Sequence, residues 1–177
     1  MNKYSADELF KIAYDHLQKK EFKKSYQLFE KLLKVYPGNL SLLRNISHAY
    51  AFSGDFKKAE ENIKKIIKIK PDEPFAYQFL ASILKNQDKI EEMIEIIKEG
   101  LERNLINKKW ELQKRLLSPL IAKDKKEIDD YRKKINKGLD EVINSDIKLD
   151  YDNDQIISPP FFELSYTDKD NLEINKK

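Results

Sequence analysis

The sequence predicts an all-α protein of three stacked helical hairpins, followed by a two-helix cap and an irregular tail. Three observations predict it. Pro37 and Pro71, 34 residues apart, each close a similar stretch, and a third copy follows in register without its closing proline. Counted from Ala6, Leu40 and Pro74, the eighth position of each copy is small: Ala13, Ser47 and Ala81. Gly54 falls midway through the second copy, where the turn between two helices favours a residue without a Cβ.

The first copy reads ELFKIAYDHLQKKEFKKSYQLFEKLLKVYP and the second LLRNISHAYAFSGDFKKAEENIKKIIKIKP. The third is PFAYQFLASILKNQDKIEEMIEIIKEGLERN. Small residues at the eighth position let the two helices of a hairpin approach, while Ile12, Ile46 and Leu80 just before them fill the space between hairpins. Pro37 and Pro71 stop each second helix from running on. One hairpin cannot bury its own apolar face, so hairpins must stack, and about three is the practical minimum. The repeats fall at about 6–39, 40–73 and 74–107, in a region spanning 1–105. Residues 106–146 form the cap. Within it, KKWELQKRLLSPLIAKD predicts an amphipathic helix ending at the Ser118–Pro119 step. Asp124 with Glu127 then makes an N-terminal capping box. Ile128, Tyr131, Ile135, Leu139 and Val142 follow at helical spacing, in a helix that should end near Asn144 and cover the third repeat. In 147–177 an acidic linker precedes FFELSY, which alternates like a strand, and NLEINKK, which reads as the start of a helix.

The 34-residue pattern resembles the tetratricopeptide repeat, whose signature has a large residue, then L-G, then Y, later A, F and a final P. The resemblance implies a right-handed superhelix, an α-α solenoid, with the first helix of each hairpin lining a concave groove. Carried over by position, the groove residues are Asp7, Phe10, Lys11, Tyr14, Leu17 and Gln18 from the first repeat. The second supplies Ser41, Arg44, Asn45, His48 and Phe52. The third supplies Phe75, Gln78, Phe79, Ser82, Lys85 and Asn86. Aromatics mixed with amides and cations suit an extended peptide: rings provide area and amides bond its backbone. Phe10 and Phe79 have packing between repeats as an equal alternative. Chaperone-binding members of the family clamp a terminal carboxylate with Lys and Asn. Here Phe10, Tyr14, Phe75 and Phe79 take those places and only Asn45 matches, which argues against that clamp. Members attached to O-linked sugar transferases repeat an asparagine at the sixth position; Asn45 fits, Lys11 and Phe79 do not.

From Trp110 onward the chain resembles the junction of SPINDLY-like proteins, relatives of the O-linked N-acetylglucosamine transferases. KWELQKRLLSPLI and EIDDYRKKINKGLDEVI are similar to the two helices that leave the repeats there. Phe161, Phe162, Leu164, Tyr166 and Asn171 match the segment that opens the catalytic domain, with Thr167 where the family has His. This resemblance implies the acceptor-recruiting arm of a glycosyltransferase, truncated before its nucleotide-sugar residues. A nucleotide sugar would then be a partner only of a longer chain. A stand-alone adaptor without any enzyme is the alternative.

The remaining observations are exclusions. There are no cysteines and two histidines, so thiolate chemistry and the usual structural zinc sites are ruled out, and no metal centre is expected. DYDND, from Asp150 to Asp154, begins like a calcium loop, but Gln155 stands where Gly is needed and Phe161 where the bidentate Glu belongs. The four glycines are too scattered to cradle phosphates, so no cofactor is expected. No catalytic motif is present, and the chain reads as a binding module rather than an enzyme. The apolar runs are short and MNKYSADELF lacks a signal-peptide core, so no membrane span and a cytoplasmic location are expected. Net charge is +3, split as +7 over residues 1–71 and −4 over the rest. Lys23, Lys24, Lys57, Lys58, Lys64 and Lys65 fall on second helices without interleaved aromatics, which argues against nucleic acid and for a solvated face.

Overall fold

The computed structural model describes residues 4–107, 110–116 and 124–145. The expected strand and helix of the tail, with Phe161, Phe162, Leu164, Tyr166 and Asn171, lie outside the described residues, as does the Ser118–Pro119 step. Eight α-helices and no strand occur among the described residues. The chain divides into two compact units, Met1–Gln87 and Asp88–Lys177.

The first unit holds α1 (Ala6–Gln18), α2 (Phe22–Val35), α3 (Leu40–Phe52), α4 (Phe56–Ile69) and α5 (Pro74–Asn86), each packed on the next. Helices α1, α3 and α5 begin 34 residues apart, as do α2, α4 and α6 (Ile90–Glu102). Each start has a local cause. Ser5 and Glu8 form a reciprocal capping box. Asn39 and Asp55 accept the backbone N–H of Leu42 and Lys58. Pro74 occupies the first turn of α5, where its missing N–H costs nothing. The stops recur too: α2 and α4 end two residues before Pro37 and Pro71.

The small eighth positions are buried, at 0% exposure for Ala13 and Ser47 and 1% for Ala81. Ser47 donates to the Leu43 carbonyl of its own helix at 2.7 Å, which satisfies its hydroxyl within the buried crossing. Ser25 donates across the first hairpin to the Ala13 carbonyl at 2.8 Å, which ties α2 to α1. Around these contacts lie Phe29, Leu43, Ile46, Ile63, Tyr77 and Leu80, all essentially inaccessible.

The turn within the hairpins is also periodic. Gly54 has φ +86°, the left-handed conformation that its place in the sequence predicts. Its N–H donates to the Ala51 carbonyl while that of Asp55 reaches Tyr50. Thirty-four residues earlier, Lys20 and Glu21 donate to Leu17 and His16 in the same way, and Lys20 has φ +60°. Asp88 continues the series at φ +56°. Two of the three turns thus place a side chain where glycine would be unstrained.

In the second unit α6 packs on α7 (Trp110–Leu116), and α7 on α8 (Lys125–Ile143). Asp124 accepts the Glu127 N–H at 2.8 Å, and Asn144 caps the far end. Of the apolar series on α8, Ile135 and Leu139 are buried. Gly138 sits between them, and a Cβ there would lie 2.6 Å from the Arg115 carbonyl oxygen. The α7–α8 contact therefore depends on backbone meeting backbone.

Candidate functional site

The expected groove residues lie on α1, α3 and α5, the first helix of each hairpin and all within the first unit. Their aromatic members fall into two groups, one on α1 and one across α3 and α5.

On α1, Phe10 stacks on Tyr14 one turn later, with centroids 6.4 Å apart. Its edge meets the buried Phe29 ring of α2 at 5.4 Å. Phe10 is half-buried by this contact within its own hairpin, whereas Tyr14 remains 45% exposed. Asp7, Lys11 and Gln18 are exposed on the same helix, and Leu17 is partly covered.

On α3 and α5 the grouping is closer. His48 stacks with Phe79 at 4.4 Å, Phe75 at 5.3 Å and Phe52 at 5.8 Å, each pair inclined by 26°. Phe75 and Phe79 stack on each other at 5.3 Å. The i, i+4 spacing on each helix supplies the two pairs, and the packing of the hairpins brings the pairs together. Burial followed by the nearby Arg44 charge lowers the His48 pKa, so at neutral pH the imidazole is uncharged and serves as a third kind of flat ring. Phe52 closes one end of the row and is 62% exposed. Beneath that end Phe22 of α2 stacks on Phe52 at 5.6 Å.

Arg44 lies 4.5 Å over the Phe75 ring and pairs with Glu73 at 3.1 Å. Lys70 holds the other Glu73 oxygen at 3.0 Å. This network fixes the guanidinium against the ring, a cation–π arrangement. Glu73 is not among the residues the sequence points to, because it stands just before α5, outside the helix face on which the repeat pattern operates.

The amides do less than expected. Asn45 and Asn86 donate to the Ser41 and Ser82 carbonyls four residues back, and Ser82 donates to Gln78. Each of these amide bonds uses one of the two side-chain N–H groups internally and leaves the amide oxygen as an acceptor for a partner's backbone. Lys85 and Gln78 are partly buried beside them.

A second polar knot lies between α2 and α3. Tyr50 stacks on Tyr26 at 4.5 Å, donates its hydroxyl to Glu30, and has Lys58 5.0 Å over its ring. Burial, then the Glu30 hydrogen bond, pushes the Tyr50 pKa well up, so the phenol stays protonated and structural. Among the described residues no group of three or more His, Asp or Glu side chains could hold a metal, and no helix is long and apolar enough to cross a membrane.

A family model described as tetratricopeptide repeat matches residues 16–104, half of the chain. The chain belongs to the tetratricopeptide repeat family. Human aspartyl/asparaginyl beta-hydroxylase is 32% identical over 73 residues, 41% of this chain and 10% of that protein. The chain thus spans about a tenth of the length of this curated relative. Among solved structures, that of the MamA protein is similar with a TM-score of 0.60 at 18% identity, over 78% of this chain and 71% of that one. The first tetratricopeptide domain of Spaghetti (RPAP3), bound to the HSP90 peptide SRMEEVD, gives 0.52 at 17% identity, covering 76% and 93%. A Thermobaculum terrenum O-GlcNAc transferase mutant gives 0.53 at 14% identity, covering 72% of this chain and 26% of that one. At these identities the structures share the tetratricopeptide fold, a repeat scaffold without catalytic groups of its own.

Proposed function

We propose that this tetratricopeptide chain is a protein-interaction module whose α1, α3 and α5 face binds an extended segment of a partner protein. The row Phe52–His48–Phe79–Phe75 carries the reading. Four flat rings span two helices, and one end of the row is open to solvent. An extended chain laid across them would bury apolar side chains between rings, while the Asn45 and Asn86 oxygens accept its N–H groups. A domain of the same fold, that of RPAP3, is bound to an HSP90 peptide, which supports a peptide as the class of partner. With Phe at the places of the clamping lysines, a terminal carboxylate is not what this face would select.

The test is a displayed library of extended peptides, with affinities of the selected sequences measured by fluorescence polarisation. Phe52→Ala and Phe79→Ala should each weaken binding by about 1–2 kcal/mol, as truncation of an aromatic anchor does. Lys65→Gln, on α4, should leave it unchanged. Selected peptides that bind both ring variants as tightly as the parent would remove this face from consideration.

For the wider role, we propose that the repeats at 6–39, 40–73 and 74–107 and the cap at 106–146 act together as one arm. We place the chain as the acceptor-recruiting arm of a cytoplasmic SPINDLY-like O-glycosyltransferase, with 147–177 leading into the catalytic domain. What supports this is the match of Phe161, Phe162, Leu164, Tyr166 and Asn171 to the segment that opens such domains. Reading the transcript through the Lys177 codon tests it. An open frame continuing into a nucleotide-sugar-binding domain agrees with the assignment; an immediate stop makes the chain an adaptor. Binding to nucleic acid through the α2 and α4 lysines is separated from both by its steep dependence on salt.

A further inference from the structure

Among the described residues of the first unit six large hydrophobic side chains are exposed, and three of them share one edge. Val35 is 67% exposed at the end of α2, Ile69 is 50% exposed at the end of α4, and Tyr36 follows Val35 at 47%. The two helix ends are neighbours. Helices α2 and α4 each join α3 by a short turn and pack along it, so both finish beside its first turns. Asn39, just before α3, donates its N–H to the Tyr36 carbonyl, and Glu73, just after α4, reaches Arg44 on α3 at 3.1 Å. The Tyr36 side chain has no hydrogen-bond or ring partner among the described residues.

The same edge is basic. Lys34 and Lys68 precede Val35 and Ile69, and Lys31 and Lys65 stand one turn earlier, all four exposed and without a carboxylate partner among the described residues. Of the nearby carboxylates, Glu30 accepts from the Tyr50 hydroxyl and Glu73 is shared by Arg44 and Lys70. That leaves Asp72 and, further from the helix end, Glu61 against four lysines. Lysines in a last helical turn are expected on their own, because they offset the helix dipole. Exposed valine, isoleucine and tyrosine beside them are not. Nor does the repeat pattern require them: the third copy has Glu102, Arg103 and Asn104 where the second has Lys68, Ile69 and Lys70.

We propose that this edge rests on an anionic lipid surface. Val35 and Ile69 enter the boundary between headgroups and acyl chains, Tyr36 sits at headgroup level, and the lysines meet lipid anions while their stems cover apolar surface. The arrangement lies on a bilayer and needs no spanning helix. Apolar tips at the ends of separate helices suit a soft, continuous apolar phase, whereas a folded acidic protein would need a packed, shape-complementary core around them. None of the residues of the ring row takes part, so this surface does not depend on the peptide-binding reading.

The experiment is co-sedimentation of the full 177-residue chain with vesicles of phosphatidylcholine, with and without about one-third phosphatidylserine. Expected is saturable binding to the anionic vesicles and little to phosphatidylcholine alone. Lys34→Gln combined with Lys68→Gln should weaken it about 25-fold, at about fivefold for each lysine near the surface. Val35→Ser combined with Ile69→Ser should weaken it by about tenfold, through lost apolar burial. Lys133→Gln, on α8, should leave it unchanged. The replaced side chains are exposed, and circular dichroism checks that each variant keeps the parental fold. Three results overturn the proposal. The chain ignores anionic vesicles at low salt; the Val35 and Ile69 variant binds them as tightly as the parent, which reduces the effect to charge alone; or polyglutamate binds as tightly as the vesicles, which assigns the lysines to a soluble acidic partner.

Discussion

Replacing Gly138 by alanine sets two effects of opposite sign against each other. Gly138 lies in the interior of α8, where helix propensity alone favours alanine by about 1 kcal/mol. The tertiary contact opposes it. The added Cβ would sit 2.6 Å from the Arg115 carbonyl oxygen, 3.1 Å from its Cβ and 3.2 Å from its carbonyl carbon. The nearest of these is a backbone atom that cannot rotate away, so α7 and α8 would have to separate by several tenths of an ångström. Overpacking of this kind costs about 1–3 kcal/mol. The net expectation is a loss of about 1 kcal/mol. Gly100→Ala is the matched control. Its Cβ would meet the Ile106 Cδ1 at 2.9 Å, the end of a side chain that can turn aside, so propensity should win or break even. Trp110, the sole tryptophan, begins α7 and reports on this contact by fluorescence. In urea, a slope of about 2 kcal/mol per molar turns the expected loss into a midpoint lowered by about 0.5 M. A Gly138→Ala midpoint raised as much as that of Gly100→Ala would refute the close approach of α7 to α8.

Three further outcomes are expected. Ala81→Leu should overpack a buried position on α5 and cost about 1–3 kcal/mol in chemical denaturation. Gly54→Ala should cost about 1–2 kcal/mol, because the strain comes from φ +86° and nothing lies within 4 Å of the added methyl; equal stability would mean that the turn relaxes. His48 gives a pH dependence: its pKa is lowered from 6.5 in the folded chain by burial and then by Arg44, so the unfolded chain binds the proton more readily. Stability from this group is present above pH 6.5 and declines as pH falls through the lowered value. Thermal melts from pH 7.5 to 5.5 should show that decline, and His48→Phe should flatten it; a decline that survives the substitution assigns the effect elsewhere.

Much of the candidate peptide face comes from the resemblance to the tetratricopeptide repeat, which implies the positions of each first helix that line a groove. Phe52, Phe75, Phe79 and His48 were named on that ground, and α3 and α5 bring them together. Glu73 could not be named that way. It reaches Arg44 from the loop before α5, so no spacing along a helix connects them. The internal bonds of Asn45 and Asn86 were hidden for a different reason. A side-chain amide bonds whichever neighbour its rotamer reaches, and residue type alone does not choose between its own helix and a ligand.

What the sequence by itself determined was everything that repeats or acts locally. The 34-residue period, the small eighth positions, the cap at Asp124 and the left-handed turn at Gly54 are short-range constraints. Each can be met by residues within a turn or two, so composition and spacing record them. Only the tertiary structure decided what depends on distances between helices. It set the 2.6 Å approach at Gly138 and the four-ring row across α3 and α5. The left-handed turns at Lys20 and Asp88 stand between the two. Their position is periodic, yet their residues do not announce it, because hairpin packing pays the local strain that glycine would have avoided.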